Sequence, residues 1–556
     1  KKRLEKGLLK ENEFDLKKIV DREIEYLNPF ICGGGIEKCD LKCEINMLSI
    51  EGKKFPFGGA CNKYYNIVHH IVDHSKEYDL VALRERLLFK EFAKPSGKAK
   101  ENAKKIGINK TFLTYLFYPL YFHFWDQLGF NVVLSENPTK EGRDKRKAAF
   151  CYPAELSHGL FDDLLSKNVD YIFMPHVMHI IVDGSEVNNK ACVFVQGEPY
   201  YLKNAFYDRD LPPILTPIID FQAHSNSVRK EFIRVAKSIG VDAKKAKTAF
   251  DFAENMMVKF RKECFEIGKK VIKELEKNPE EFAIVLMGRW YNALAKEANM
   301  GIPHKFASRG ITVIPFDFIP FGYEDIKFHM HWGIGKIILQ VAKYVAKHPQ
   351  LFATYITNFS CGPDSFLVPH FRDEMGRKPS LTLELDSHTA DVGLNTRIEA
   401  AIDIIKYYRQ LKLNIEKEIA DFKPAKIVYK GAKSLYIDSD GKTYSLKDPR
   451  ITFLFPRMGR FTTETGVAAV RGEGYNAKIA NIPDMDVLSH GKAFSSCKEC
   501  VPYIICLGSL LEYIKKNKKE GEKIAYFTVG DVSPCRVEQY QVGMKKLVEK
   551  NKIRDV

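Results

Sequence analysis

Apolar and polar positions follow two different periods along the chain, and the changes of period mark its segments. Residues 1–28 place Leu4, Leu8, Phe14, Ile19, Ile24 and Leu27 at roughly helical spacing among charged residues, which predicts an amphipathic helix. Three later segments share one plan: a short apolar strand, a loop, a helix, a glycine near the helix end and a second apolar strand. Ile106-Gly-Ile108 leads through the aromatic run from Phe112 to Leu128 into Gly129 and Asn131-Val-Val-Leu-Ser135. Ala283-Ile-Val-Leu-Met-Gly288 leads to Gly310 and Ile311-Thr-Val-Ile-Pro315, and Ile451-Thr-Phe-Leu-Phe455 leads to Gly474 and Ala477-Lys-Ile-Ala480. The interval from strand to glycine is 23, 27 and 23 residues. Repeated units of that size predict an α/β chain with parallel layers, built from three βαβ segments. Residues 224–280, rich in Lys and Glu, and 396–422, ending before Pro424, predict helical connectors. Tyr436-Ile-Asp-Ser-Asp-Gly-Lys-Thr-Tyr444 predicts a hairpin through its Asp-Gly turn. Residues 72–104, charged and carrying Pro95-Ser-Gly97, read as a linker. The expected divisions are an N-terminal helix and Cys-rich region (1–100), a first α/β domain with its helical connector (101–282), a second ending in a long helix (283–422), and a hairpin with the third (423–556).

With 556 residues, 45% of them hydrophobic, the chain can fill several cores. No apolar run reaches the roughly 18 residues of a membrane span and no secretory pattern opens the sequence, so a cytoplasmic protein without a membrane partner is expected. The first residue is Lys1, which leaves room for an upstream domain. The net charge of +15 is spread along the whole chain. Without a basic stripe interleaved with aromatics, it reads as a solvated surface, and no nucleic-acid partner is expected.

Twelve cysteines are too sparse for a disulfide scaffold in a chain this long and point to thiols serving metal or redox chemistry. Four fall together: Cys32, Cys39 and Cys43 in Cys32-Gly-Gly-Gly-Ile-Glu-Lys-Cys39-Asp-Leu-Lys-Cys43, then Cys61 after Gly58-Gly-Ala. Such a set suits a separate metal centre, either a structural zinc or a four-iron cluster, with unligated cysteines as the third reading. Three Cys-x-Pro triplets occur, Cys151-Tyr-Pro153, Cys361-Gly-Pro363 and Cys500-Val-Pro502, where composition alone gives about half of one. Gly159 and Gly508 each lie eight residues past their cysteine. Proline is preorganised for a first helical turn, so all three cysteines are expected at helix N-termini in equivalent positions of three repeats. There the dipole favours a thiolate or an anionic cluster. Cys535 follows Pro534 into a helical pattern, and Cys192 opens Cys-Val-Phe-Val-Gln-Gly-Glu-Pro after a short strand. Cys264, in mid-helix, and Cys506, on an apolar helix face, read as packing residues. The remaining six, Cys151, Cys192, Cys361, Cys497, Cys500 and Cys535, come from all three segments and are expected to converge on a buried cluster between them.

At these residues the sequence resembles the 2-hydroxyacyl-CoA dehydratase and double-cubane cluster proteins, and more narrowly the region attached to activator-type ATPase domains in large CoA enzyme activase chains. The carrying motifs are Phe57-Gly-Gly-Ala-Cys-Asn-Lys-Tyr64, Cys151-Tyr-Pro, Cys192-Val-Phe-Val-Gln-Gly-Glu-Pro, Gly288-Arg-Trp-Tyr-Asn and Asn358-Phe-Ser-Cys-Gly-Pro-Asp-Ser365. Glu384-Leu-Asp-Ser-His-Thr389 with Thr396-Arg-Ile-Glu399, Lys498-Glu-Cys-Val-Pro502 and Pro534-Cys-Arg-Val-Glu-Gln-Tyr540 complete the set, over about residues 30–545. The resemblance implies Rossmann-like domains and an ATP-dependent iron–sulfur oxidoreductase acting on a small-molecule substrate. Low-potential electrons would come from an ATP-hydrolysing iron–sulfur partner of the actin/hexokinase-like type, in cis or in trans. It implies as cofactor a double-cubane [8Fe-9S] cluster or a single [4Fe-4S] cluster, and leaves room for a homodimer. The family pattern has glycine where Cys497 stands, so Cys497 is either a surface cysteine or an added ligand. The runner-up is a radical 2-hydroxyacyl-CoA dehydratase with a [4Fe-4S] cluster. A third reading is a zinc-stapled scaffold that only docks an ATPase.

Glu384, Asp386 and His388 alternate at period two, as either a mononuclear metal site or a polar strand end. His176 and His179 read as loop histidines. His158, beside the helix that Cys151 starts, is the proton-donor candidate. No phosphate-binding loop of the G-x-x-x-x-G-K-[ST] form is present, and Gly333-Ile-Gly-Lys336 sits in a helical pattern, so nucleotide binding is expected elsewhere.

Overall fold

The structure is a computed structural model that describes residues 23–32, 43–58, 63–68, 75–147, 151–185, 189–222, 226–322, 324, 329–387, 389, 391–410, 423–430, 433–495, 499–528 and 535–556. Strands β1 (Ile24–Ile31), β2 (Glu44–Ile50) and β3 (Lys53–Phe57) form an antiparallel sheet in that order. The helix expected to run to residue 28 therefore does not extend past residue 23, and the residues before it lie outside those described. From Ile24 the chain alternates Ile-Glu-Tyr-Leu and pairs with β2 in register (Ile24 with Ile50, Leu27 with Met47). Cross-strand partners decide a segment this short in favour of strand.

The stretch expected as a linker folds instead. Helix α1 (Leu80–Arg86) is capped by the Asp79 carboxylate, which accepts from the Val81 and Ala82 amides. It buries Leu80, Val81 and Arg84. The Arg84 guanidinium pairs with Asp317 at 2.7 Å and donates to the Tyr115 carbonyl at 3.0 Å. Charge misled the sequence reading here: this arginine is an internal tie between the first two sheets.

The three expected βαβ units are present, each with its strand pair parallel. The first runs β4 (Lys105–Ile108), α2 (Thr114–Gln127), β5 (Asn131–Leu134), α3 (Lys140–Asp144), α4 (Tyr152–Ser166), β6 (Tyr171–Phe173), β7 (His176–His179), α5 (Val193–Gln196), α6 (Glu198–Ala205), β8 (Ile214–Leu215) and β9 (Ile218–Asp220). Its sheet order is β5-β4-β6-β8, with β7 and β9 as a parallel pair beside it. Helices α7 (Ser227–Ser238) and α8 (Ala243–Glu276) follow as the predicted connector. The second unit runs β10 (Ala283–Met287), α9 (Trp290–Ala293), β11 (Thr312–Pro315), α10 (Gly333–Lys347), β12 (Leu351–Asn358), α11 (Asp364–Met375), β13 (Ser380–Leu385) and α12 (Asp391–Gln410), in the order β11-β10-β12-β13. The rest of the helix predicted to reach residue 422 lies outside the described residues.

A meander of β14 (Lys426–Lys430), β15 (Lys433–Ile437) and β16 (Thr443–Ser445) contains the predicted Asp-Gly hairpin. The third unit then runs β17 (Ile451–Phe455), α13 (Arg460–Gly472), β18 (Ala477–Ile479), α14 (Met485–Ala493), α15 (Val501–Lys516), β19 (Lys523–Tyr526) and α16 (Tyr540–Lys550), in the order β18-β17-β19. Numbered within each unit, all three sheets read 2-1-3, and the first two add a fourth strand beside the third. The order reverses between strands 1 and 3, so right-handed crossovers leave that point on either side. Loops at the carboxyl ends there line an open crevice, the usual ligand position in such sheets. One continuous apolar core extends from the first sheet through α8 into the second, with β10 buried along its length.

Candidate metal centre

Strand order assigns the cysteines to two kinds of position. Cys151 and Cys500 are the N-caps of α4 and α15, the helices that lead from strand 2 to strand 3, each with proline in the first turn. Cys192 and Cys535 follow strand 3 of their units and cap the next helical turn. Cys361 also follows a third strand, β12, and belongs with Cys192 and Cys535. The expectation that Cys361 matches Cys151 and Cys500 is thus corrected. Cys-x-Pro marks a helix start, and helices start after strand 2 and after strand 3 alike. In the second unit, Trp332 takes the N-cap that Cys151 and Cys500 take elsewhere. His331 beside it is fully buried and meets Gln539 at 3.1 Å, on the turn that Cys535 opens.

The true repeat of Cys151 and Cys500 extends backwards along the chain. Gly142 and Gly491 stand nine residues before these cysteines, and Gly159 and Gly508 eight after. In each unit the two glycines let consecutive helices cross at backbone contact. A Cβ on Gly159 would lie 2.8 Å from the Thr139 carbonyl oxygen, and one on Gly508 would lie 2.0 Å from that of Val487. Side chains of any size would push these cysteine-bearing helices off their partners.

Cys151, Cys192 and Cys361 lie within electrostatic reach of one another and share one buried cation, Arg289. Arg289 follows strand 1 of the second unit, after Gly288, whose φ is +139°. A Cβ there would lie 2.4 Å from the Ile356 carbonyl oxygen, so only glycine lets the loop cross β12. The guanidinium is 1% exposed. It donates to Asn358 and, at 3.1 Å, to Asp364, and it lies over the Tyr291 ring at 5.2 Å. Asp364 also accepts from Thr357 at 2.6 Å and Tyr355 at 3.1 Å. Sequence reading quoted this arginine in a motif without placing it among the cysteines. Its signal was the Gly-Arg pair at the carboxyl end of a first strand.

Burial raises the proton affinity of all three thiols, and Arg289 only partly offsets it. Cys151 is pushed up to about 11, and Cys192 and Cys361 are raised as well. The bare thiols are therefore protonated at neutral pH, because desolvation outweighs the helix N-termini and Arg289 that favour a thiolate. A bound metal would supply the missing positive charge. Cys361 Sγ already accepts the Asp364 amide at 3.4 Å. Cys500 and Cys535 gather at Tyr540: the Cys500 sulfur lies 2.8 Å from its hydroxyl, and both thiols act on it electrostatically. Phe366, on α11, stacks on Tyr540 at 6.3 Å, and Arg536 meets Ser365 at 3.4 Å, so this second pair sits against the segment that follows Cys361.

The donor set is soft, and among the described residues the buried Arg289 Nε–H has no hydrogen-bond partner. Both features fit an anionic, thiolate-held group. Thiolates on one tetrahedral zinc at ~2.3 Å sit ~3.8 Å apart. Among the described residues, the only three Cys, His, Asp or Glu ligand atoms lying within 4.8 Å of one another belong to Asp484, Asp486 and Glu512. The three crevice sulfurs thus do not all lie within 4.8 Å of one another. In the acidic trio, Lys516 already pairs with Glu512 and Asp486.

Cys497 lies outside the described residues. So do Cys39 and Cys61, while Cys32 and Cys43 are adjacent at the open end of β1 and β2, the Cys32 amide donating to the Cys43 carbonyl at 2.8 Å. Cys264 and Cys506 are buried helix residues, as expected. The His158 Nδ1 meets the Ala154 carbonyl at 2.6 Å, its ring stacks on Tyr201 at 5.4 Å, and burial lowers its proton affinity. His176 and His179 are held by the Gln196 carbonyl and Asp220. Asp386 forms a closed turn with Thr389, and His388 lies outside the described residues. Gly333 is needed because a Cβ would come within 2.5 Å of Ile180, and Lys336 is tied to Ser185 and Asn189. That glycine–lysine pair serves packing between the first two units.

Fold and crevice define an α/β protein of repeated open parallel sheets whose carboxyl-end loops carry cysteines. Residues 105–319 match the model of the CoA enzyme activase uncharacterised domain (DUF2229), a span that includes Cys151, Cys192 and Arg289. Over that span the chain resembles the activase-associated family. No curated protein matches the chain. Among solved structures, the C-terminal domain of glucosamine-fructose-6-phosphate aminotransferase from Francisella tularensis is similar at 11% identity over 61% of this chain and 96% of that one. Its TM-score of 0.15 is too low to carry an argument. No helix among the described residues is long and apolar enough to cross a membrane.

Proposed function

We propose that the chain is an iron–sulfur reductase, taking low-potential electrons from an ATP-hydrolysing iron–sulfur partner and passing them to a small substrate. The observation that carries this reading is the gathering of Cys151, Cys192 and Cys361, from two different sheets, around the buried Arg289. Cys500 and Cys535 form a second group beside it at Tyr540. The two groups, from three units, favour a double-cubane cluster over a single cubane. Bound there, such a cluster would supply one-electron reduction at low potential. The residues' own part is to hold it: five thiols at helix starts and a guanidinium to balance negative charge. The match to an activase domain supports an ATP-dependent partner.

The test is anaerobic reconstitution followed by iron, sulfide and zinc counting. A double cubane predicts about eight irons in the crevice, against about four for a single cluster. Serine in place of Cys151, Cys192 or Cys361 is expected to lower iron content and bleach the visible absorption, whereas Cys264→Ala leaves both intact. Stoichiometric zinc in a colourless protein would overturn the reading.

A further inference from the structure

Each of the first two sheets has an acid bridging the loops after strands 1 and 3, and the two acids have opposite partners. In the second sheet Asp364 pairs with the Arg289 guanidinium at 3.1 Å. In the first sheet the acid is Glu198, at the start of α6 and six residues past Cys192. It is 7% exposed. It accepts from the Thr111 hydroxyl at 2.5 Å and the Asn109 amide at 3.3 Å, both in the loop after β4. Among the described residues, both of its hydrogen-bond donors are neutral.

We propose that Glu198 takes up the proton that accompanies one-electron reduction in the Cys151–Cys192–Cys361 crevice. The inference rests on the reductase reading above. Its geometric link is Tyr201, one turn along α6. Tyr201 feels Glu198, Cys151 and Cys192 together, its hydroxyl meets Ser157 at 3.3 Å, and its ring stacks on His158, both of the latter on the helix that Cys151 opens. The titratable groups facing Glu198 are the phenols Tyr121, from α2, and Tyr201; His158 and the two thiols stand behind Tyr201.

Desolvation, only partly offset by Thr111 and Asn109, pushes the Glu198 carboxyl up to about 7. An acid placed there changes charge in the physiological range, which neither an ordinary carboxylate nor one paired to arginine does. The balance is simple. One electron enters the crevice from the iron–sulfur donor, and one proton from solvent converts the Glu198 carboxylate to the acid. When the electron leaves for substrate, the proton returns to solvent. The added negative charge favours the neutral acid, and burial leaves that interaction little screened by solvent.

The experiment is a redox titration of the reconstituted full chain at several pH values, with infrared difference spectra recorded between the oxidised and reduced states. The midpoint potential is expected to fall as pH rises between about 6 and 8, with a protonated-carboxyl band appearing on reduction. Glu198→Gln, which keeps the acceptor oxygen, should bind the same iron, lose the band and give a flat potential over that range. Glu198→Asp should keep a pH dependence with a displaced midpoint, and it serves if the glutamine chain folds poorly. A flat wild-type profile, or a slope that persists in Glu198→Gln, overturns the proposal. If the chain takes up no iron, the reductase reading fails first. Infrared titration of the metal-free chain then still decides whether Glu198 holds its proton near pH 7: a carboxyl already ionised at pH 6 overturns the proposal on its own.

Discussion

Replacing Gly508 with alanine tests how tightly the fold fixes Cys500. The new methyl would stand 2.0 Å from the Val487 carbonyl oxygen and 2.9 Å from its carbon, both backbone atoms that cannot swing aside. Reaching even a close contact of about 3.2 Å requires α14 and α15 to part by roughly 1.2 Å, in an interior packed near crystal density. Alanine gains about 1 kcal/mol of helix propensity over glycine, while overpacking of this kind costs about 1–3 kcal/mol. Separation also strips contacts from the reciprocal site, where Gly491 touches the Ile504 carbonyl. The expected net effect is a loss of up to about 2 kcal/mol, confined to the third unit. The control is Gly472→Ala, at the end of α13, where a Cβ meets nothing within 4 Å and a gain of up to about 1 kcal/mol is expected. Hydrogen exchange followed by mass spectrometry is the suitable assay, because a chain of several units does not unfold in one step. Residues 485–516 should exchange faster in Gly508→Ala and the first two sheets should not change. An alanine chain as protected as wild type would refute the close helix crossing and, with it, the account of how Cys500 is aimed at Tyr540.

The remaining predictions concern the metal and the nucleotide. Cys32→Ser with Cys43→Ser should remove one metal centre while leaving the visible absorption of the crevice intact; unchanged total metal in that double variant refutes an N-terminal centre. The chain should neither bind nor hydrolyse ATP, since Lys336 is committed to Ser185 and Asn189. Micromolar ATP binding by calorimetry would overturn the assignment of the nucleotide to a partner or another domain.

The sequence by itself determined the elements and their class. Apolar runs at period two and amphipathic runs at period 3.6 are local, so β4, β10 and β17, their helices and the Asp-Gly hairpin were legible, as were the N-cap positions of Cys151 and Cys500 beside their prolines. Charge content gave the wrong answer at residues 80–86, because Arg84 is satisfied by Asp317, more than two hundred residues away. Only tertiary structure decided which cysteines correspond. The same Cys-x-Pro letters serve after strand 2 in two units and after strand 3 in another, and strand order is a property of the assembled sheet. Arg289 and Glu198 were hidden for the same reason. One is a charged residue in a loop and the other opens a helix, and each gains chemical meaning only when folding buries one against thiols and acid and the other among neutral donors. Desolvation depends on what packs around a group, and no window of sequence contains that.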